Sequence, residues 1–169
     1  MLAYKFLAGD CIGRFSGFRW EPRSWVEVDG AVDVCRTGIH ACRADQLPFW
    51  LDDELWTIEL KDVVELHGVL VARRGRLDAR VPAWDGEASR EFALSCVERI
   101  REWAAGDAGA TTLEEYREDA GAAAEAVSSA ENAALVGFIA AQAAEVAEPG
   151  CGQAERARQA SWLRDRLDL

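Results

Sequence analysis

The chain has 169 residues, 50% of them hydrophobic and 29% charged, and carries a formal charge of −11. This composition excludes intrinsic disorder, and no apolar run approaches the roughly 20 residues that a bilayer span needs. The acidic field repels phosphate backbones and anionic lipid surfaces, so neither nucleic acid nor membrane is an expected partner.

The first residues lack the basic stretch and long apolar core of a secretory signal, which points to the cytoplasm. Five cysteines (Cys11, Cys35, Cys42, Cys96 and Cys151) are an odd number at irregular spacing. In a reducing compartment they are expected as thiols rather than a disulfide framework. The length suits one domain over 1–169, with a β-rich part over 1–84 and a helical part over 85–169.

In the first half, residues 2–7 (Leu-Ala-Tyr-Lys-Phe-Leu) predict an opening strand that Gly9-Asp10 ends, and residues 25–28 a second, closed by Asp29-Gly30. Residues 38–42 alternate as a short strand, 44–51 hold one or two helical turns limited by Pro48, 55–60 form the strongest strand, and 69–72 pair near it. Arg73-Arg-Gly-Arg76 is placed at a hairpin tip, a small basic patch able to meet a carboxylate or phosphate.

After Trp84 the apolar spacing turns helical: Phe92, Cys96, Val97, Ile100 and Trp103 recur every three or four residues. Capping boxes at Thr111-Thr-Leu-Glu114 and Ser128-Ser-Ala-Glu131 open two further helices. A last helix over 153–167 carries Ala157, Ala160, Leu163 and Leu167 on one side. The expected class is therefore α+β: a small, mostly antiparallel sheet in the N-terminal half and a helical cluster in the C-terminal half that covers it.

The most unusual local pattern is Cys35-Arg-Thr-Gly-Ile-His40-Ala-Cys42. On a strand, His40 and Cys42 share a face, and a turn through Thr37-Gly38 can bring Cys35 beside them. Three such ligands suit zinc, with Cys11 or His67 as a fourth or the fourth position left open. The same residues also suit a Cys/His nucleophile and base, whose thiolate Arg36 and Arg43 would stabilise. The competing reading, favoured by how often free cysteine is buried, is a core strand with two apolar thiols and a hydrogen-bonded histidine.

The chain has seven tryptophans. Trp56 and Trp103 read as core, whereas Trp20, next to Arg19, and Trp50, just beyond Pro48, read equally as walls of a ligand-binding cleft. The Gly-rich run Gly9-Asp-Cys-Ile-Gly-Arg-Phe-Ser-Gly17 lacks both dinucleotide and phosphate-loop fingerprints and reads as a connection.

At Gly17-Phe-Arg-Trp-Glu, Trp25-Val-Glu27, Gly30 and Cys35-Arg-Thr-Gly-Ile-His-Ala-Cys42, the sequence resembles an uncharacterised domain of phage proteins and of bacterial pentapeptide-repeat proteins. That family shows a Cys-x-x-Gly-aromatic-His-Ala-Cys signature, and here Ile39 stands at the aromatic position. The resemblance covers roughly the first half and implies that Cys35, Gly38, His40 and Cys42 form a site or a structural knot. More faintly, the order of an opening Tyr-Lys strand, a Gly-Ile-His-Ala strand, a helical turn and a Leu-Trp-Thr-Ile-Glu-Leu strand is similar to the ADP-ribosyltransferase scaffold. That similarity implies a nicotinamide dinucleotide (NAD) as ligand, but no Tyr stands in the second motif and no later strand offers the catalytic Glu.

Two functional classes follow. The first is a small-molecule-binding or enzymatic domain with a Cys/His/Trp-lined cleft. The second is a non-catalytic protein-interaction module, favoured where no ionisable groups converge.

Overall fold

Residues 1–33, 36–66, 68–105, 110–125 and 130–169 are described by the computed structural model. The chain divides into two compact units, Met1–Pro82 and Ala83–Leu169. The class is α+β, with an antiparallel sheet in the N-terminal unit and helices in the C-terminal one.

The sheet unit holds β1 (Leu2–Leu7), β2 (Val26–Glu27), β3 (Ile39–Ala41), β4 (Glu54–Leu66) and β5 (Val69–Arg80). A 3₁₀ segment, Ala44–Phe49, takes the place of the predicted helical turns. β1 pairs with β4, and β4 pairs with β5. β2 and β3 both pair with β5. Beyond the end of β3, Cys42 and Tyr4 exchange backbone bonds of 2.8 and 2.9 Å, so the pairing runs β1–β4–β5–β3 and returns to β1. Closure of this kind leaves β1 without a free edge.

The hairpin of β4 and β5 is longer than the sequence predicts, and Arg73–Arg76 lies inside β5 rather than at a tip. Cross-strand ion pairs explain the difference. Arg76 faces Glu59 in register with an N···O distance of 2.6 Å, and Arg74 faces Glu27 at 3.4 Å. Opposite charges directly across a ladder favour continued pairing. Lys61, Arg74 and Arg76 also surround the Trp25 indole at 4.5, 5.3 and 5.1 Å.

Alternation sends Ala3, Leu7, Ile58, Leu60, Ile39, Ala41, Leu70 and Leu77 into one buried cluster, with Trp20 packed among them. Gly38 is required where the chain enters β3. Its φ is +135°, and a Cβ there would lie 2.4 Å from Val71 Cγ1.

In the helical unit, α1 (Gly86–Ala104), α2 (Ala110–Glu125), α3 (Ala130–Ala147) and α4 (Gly152–Leu167) pack pairwise. Asp85 caps α1 by accepting from the Ala88 amide at 2.9 Å, starting the helix earlier than the apolar spacing alone suggests. Phe92, Cys96, Val97 and Ile100 are its buried stripe, as predicted, while Trp103 is only half-buried. Thr111 falls inside the first turn of α2, and Ser128 lies outside the described residues. Glycine lets α3 approach α1 closely: a Cβ at Gly137 would meet the Phe92 ring at 3.1 Å.

The buried face of α4 differs from the predicted one. Ala157 is exposed, and Glu155, Gln159, Ala160, Leu163 and Leu167 point inward. The helix can turn two polar residues inward because they satisfy each other and their neighbours. Glu155 accepts from Arg158 at 2.9 and 2.7 Å and from Gln159 at 3.0 Å, and Gln159 also donates to the Gly137 carbonyl.

Candidate functional site

β3 places His40 and Cys42 on one side, as alternation requires, and Ile39 and Ala41 on the side of the buried cluster. His40 is half-buried, with Nδ1 3.2 Å from the Gly38 carbonyl. Desolvation, and then the charge of Lys5, lower its pKa, so the ring is neutral at pH 7. Cys42 is 1% exposed, and burial pushes its thiol up to about 12.

A nucleophilic thiolate needs its charged form favoured, and although Lys5 pulls this thiol's pKa down, burial outweighs it. Arg43 is exposed and paired with Glu65 at 2.5 Å, and Arg36 is exposed in the turn that Asp33 and Thr37 close. Cys35 and His67 lie outside the described residues. Among the described residues no three His, Cys, Asp or Glu side chains converge as a metal would require.

Cys11 sits elsewhere. Its half-buried Sγ donates to Glu54 Oε2 at 3.6 Å, and desolvation followed by the Glu54 charge raises its pKa. Glu54 also accepts from Trp56 Nε1 at 3.0 Å and lies 3.8 Å from Arg80. Trp20 is 6% exposed and belongs to the core, whereas Trp50 is half-buried beyond the 3₁₀ segment. Arg19 is exposed and reaches Asp10 only at 4.0 Å.

Two features escaped the sequence reading. The first is a built loop between Ile12 and Arg19, which form an isolated bridge. Within it the Gly13 amide donates to the Phe18 carbonyl and the Gly17 amide to the Gly13 carbonyl, both at 2.8 Å. Gly17 has φ +64°, a value glycine adopts without strain. Arg14 ties the loop down with a two-pronged ion pair to the buried Asp52, its Nε at 2.8 Å from Oδ2. Phe18 sets its edge on Trp20 at 5.5 Å. Phe15, at the tip, is 95% exposed. The glycine run signalled a connection, but the aromatic between two glycines was the usable hint.

The second feature is Lys5. It lies between Ala3 and Leu7 on β1, in register with Trp56, hence on the face of the buried cluster. Its Nζ donates to the His40 carbonyl at 2.7 Å and sits 5.3 Å from the centre of the Trp20 ring. Desolvation lowers its pKa to about 8, against a smaller opposing effect of Cys42. The period of two in residues 2–7 already put this lysine on the apolar face.

No family profile, curated protein or solved structure matches this chain.

Proposed function

We propose that the chain is a non-catalytic protein-interaction module whose contact element is the loop of residues 13–18. The observation that carries this reading is Phe15, 95% exposed on a loop whose backbone bonds and Arg14–Asp52 pair hold it in one shape. An exposed aromatic normally has its contact energy offset by the ordering of its loop. Here that ordering is complete before any partner arrives. Rigid aromatic anchors that fill a pocket are what dominate binding energy at interfaces.

The occupant that fits is a protein surface with an apolar pocket for Phe15 and an acidic rim for Arg19. A second copy fits poorly, since each chain carries a formal charge of −11 and like charges repel. The raised thiols and the neutral His40 favour this class over a thiol enzyme. A photo-crosslinking phenylalanine analogue at position 15 identifies the partner in cells. With that partner purified, Phe15→Ser is expected to weaken binding by about 2 kcal/mol or more, roughly thirtyfold in Kd. The melting temperature should be unchanged, because the side chain is almost fully exposed in the free chain. Equal binding by both proteins, or crosslinks only to a second copy, would discard the reading.

A further inference from the structure

The chain has 19 basic residues, of which only Lys5 and Lys61 are lysines. Each lysine sets its nitrogen against an indole, Lys61 on Trp25 at 4.5 Å and Lys5 on Trp20 at 5.3 Å. Their settings otherwise differ. Lys61 is exposed, whereas Lys5 is partly buried on the inner face of β1, between Ala3 and Leu7 and opposite Trp56.

An ammonium presents three N–H donors, and the Lys5 nitrogen has one carbonyl acceptor and one indole face. A neutral amine needs only that acceptor and leaves a lone pair to offer. Among the described residues no carboxylate forms an ion pair with it. The titratable groups that act on it are the Cys42 thiol and the neutral His40 ring, while the Glu54 carboxylate is engaged with Trp56, Cys11 and Arg80.

We propose that Lys5 is a carbonyl-reactive amine, a covalent modification site for small uncharged aldehydes, because its nitrogen is held between an indole and a single backbone carbonyl on an apolar face. The lone pair on Nζ attacks the aldehyde carbon, and the carbonyl oxygen takes a proton to give a carbinolamine. Loss of one water then forms the C=N bond of an imine. No oxidant or reductant enters, and water restores both reactants. The apolar neighbours on this face, Ala3, Leu7 and Trp20, favour an alkyl or aryl aldehyde over an anionic keto acid. The pKa of about 8 supports the reaction by leaving a large neutral fraction near pH 7.5.

The test uses the full chain, with propionaldehyde as the probe and cyanoborohydride to reduce any imine to a stable secondary amine. Peptide mass spectrometry then reads Lys5, Lys61 and the Met1 amine separately. In the folded protein at pH 7.5, Lys5 is expected to be propylated roughly thirtyfold faster than Lys61, with the advantage shrinking as pH approaches that of an ordinary lysine. In urea the two lysines should react alike. Equal or slower labelling of Lys5 in the folded chain overturns the proposal. So does an advantage that survives in urea, because it would then belong to the local sequence and not to the fold. This chemistry is independent of the Phe15 contact, so either result leaves the interaction reading where it stood.

Discussion

In the helical unit Glu155 is 3% exposed, and its carboxylate accepts two hydrogen bonds from Arg158 and one from Gln159, with the Arg99 guanidinium 3.8 Å away. In the sheet unit the Lys5 nitrogen has one carbonyl and one ring. A buried charge enclosed by fitted partners is held in one geometry, which makes it a structural part. One with a single partner is displaced toward its neutral form instead, which makes it a chemical part. The contrast separates a polar network that specifies helix packing from an amine held ready to react.

The sharpest way to break that contrast is Glu155→Ala. It strands the Arg158 and Gln159 donors in a buried setting, and losing one partner of a buried pair costs about 3 to 5 kcal/mol. Hydrogen exchange should show the amides of α4 and of its neighbour α1 losing protection. A loss below about 1 kcal/mol would mean that water replaces the carboxylate, and Glu155 would lose its structural role.

Lys5→Met is the matching change in the sheet. The substitution keeps an unbranched side chain on the inner face and removes a desolvated amine, so the sheet should be unchanged or up to about 2 kcal/mol more stable. Chemical denaturation measures it. A loss of 2 kcal/mol or more would show that the bond to the His40 carbonyl holds β1 to β3, and the amine would then be structural as well.

The same contrast explains what the sequence discloses. Strand and helix periods were legible where apolar residues carry them, as in residues 2–7 and along α1. The face of α4 was misjudged because Glu155 and Gln159 bury themselves through partners on other helices, and no local spacing announces such partners. Arg73–Arg76 reads as a tip because the apolar run of residues 69–72 stops just before it. The acids that keep them in β5 sit across the ladder at Glu59 and Glu27. For the Cys35-to-Cys42 pattern, alternation correctly paired His40 with Cys42, but burial decides whether a thiol is reactive, and burial is a tertiary property. Lys5 was the reverse case: the pattern contained the answer, since a lysine between Ala3 and Leu7 breaks an apolar face.

The smallest effect is also the most discriminating, because Lys5 and the buried thiols push alkaline stability in opposite directions. The folded pKa of Lys5 is about 8, against 10.5 for an ordinary lysine. Between those values the unfolded chain binds a proton that the folded chain does not, so stability rises with pH across that window. Cys42 in the sheet and Cys96 in α1 have folded values of about 12 against 9.0. Their contribution is fully present below pH 9 and is lost as pH climbs toward 12. From pH 8 to 9 the lysine therefore acts almost alone, and the sheet amides should gain no more than about 1 kcal/mol of protection while the helical amides stay level. Above pH 9 the helical amides should lose protection, while in the sheet the lysine and Cys42 largely cancel up to about pH 10.5 and the fall comes beyond it. Lys5→Met should abolish the early rise and leave the later fall, and Cys42→Ala should do the reverse in the sheet. A rise that persists in Lys5→Met would assign it to some other group and return Lys5 to the ordinary lysine range, removing the chemical half of the contrast.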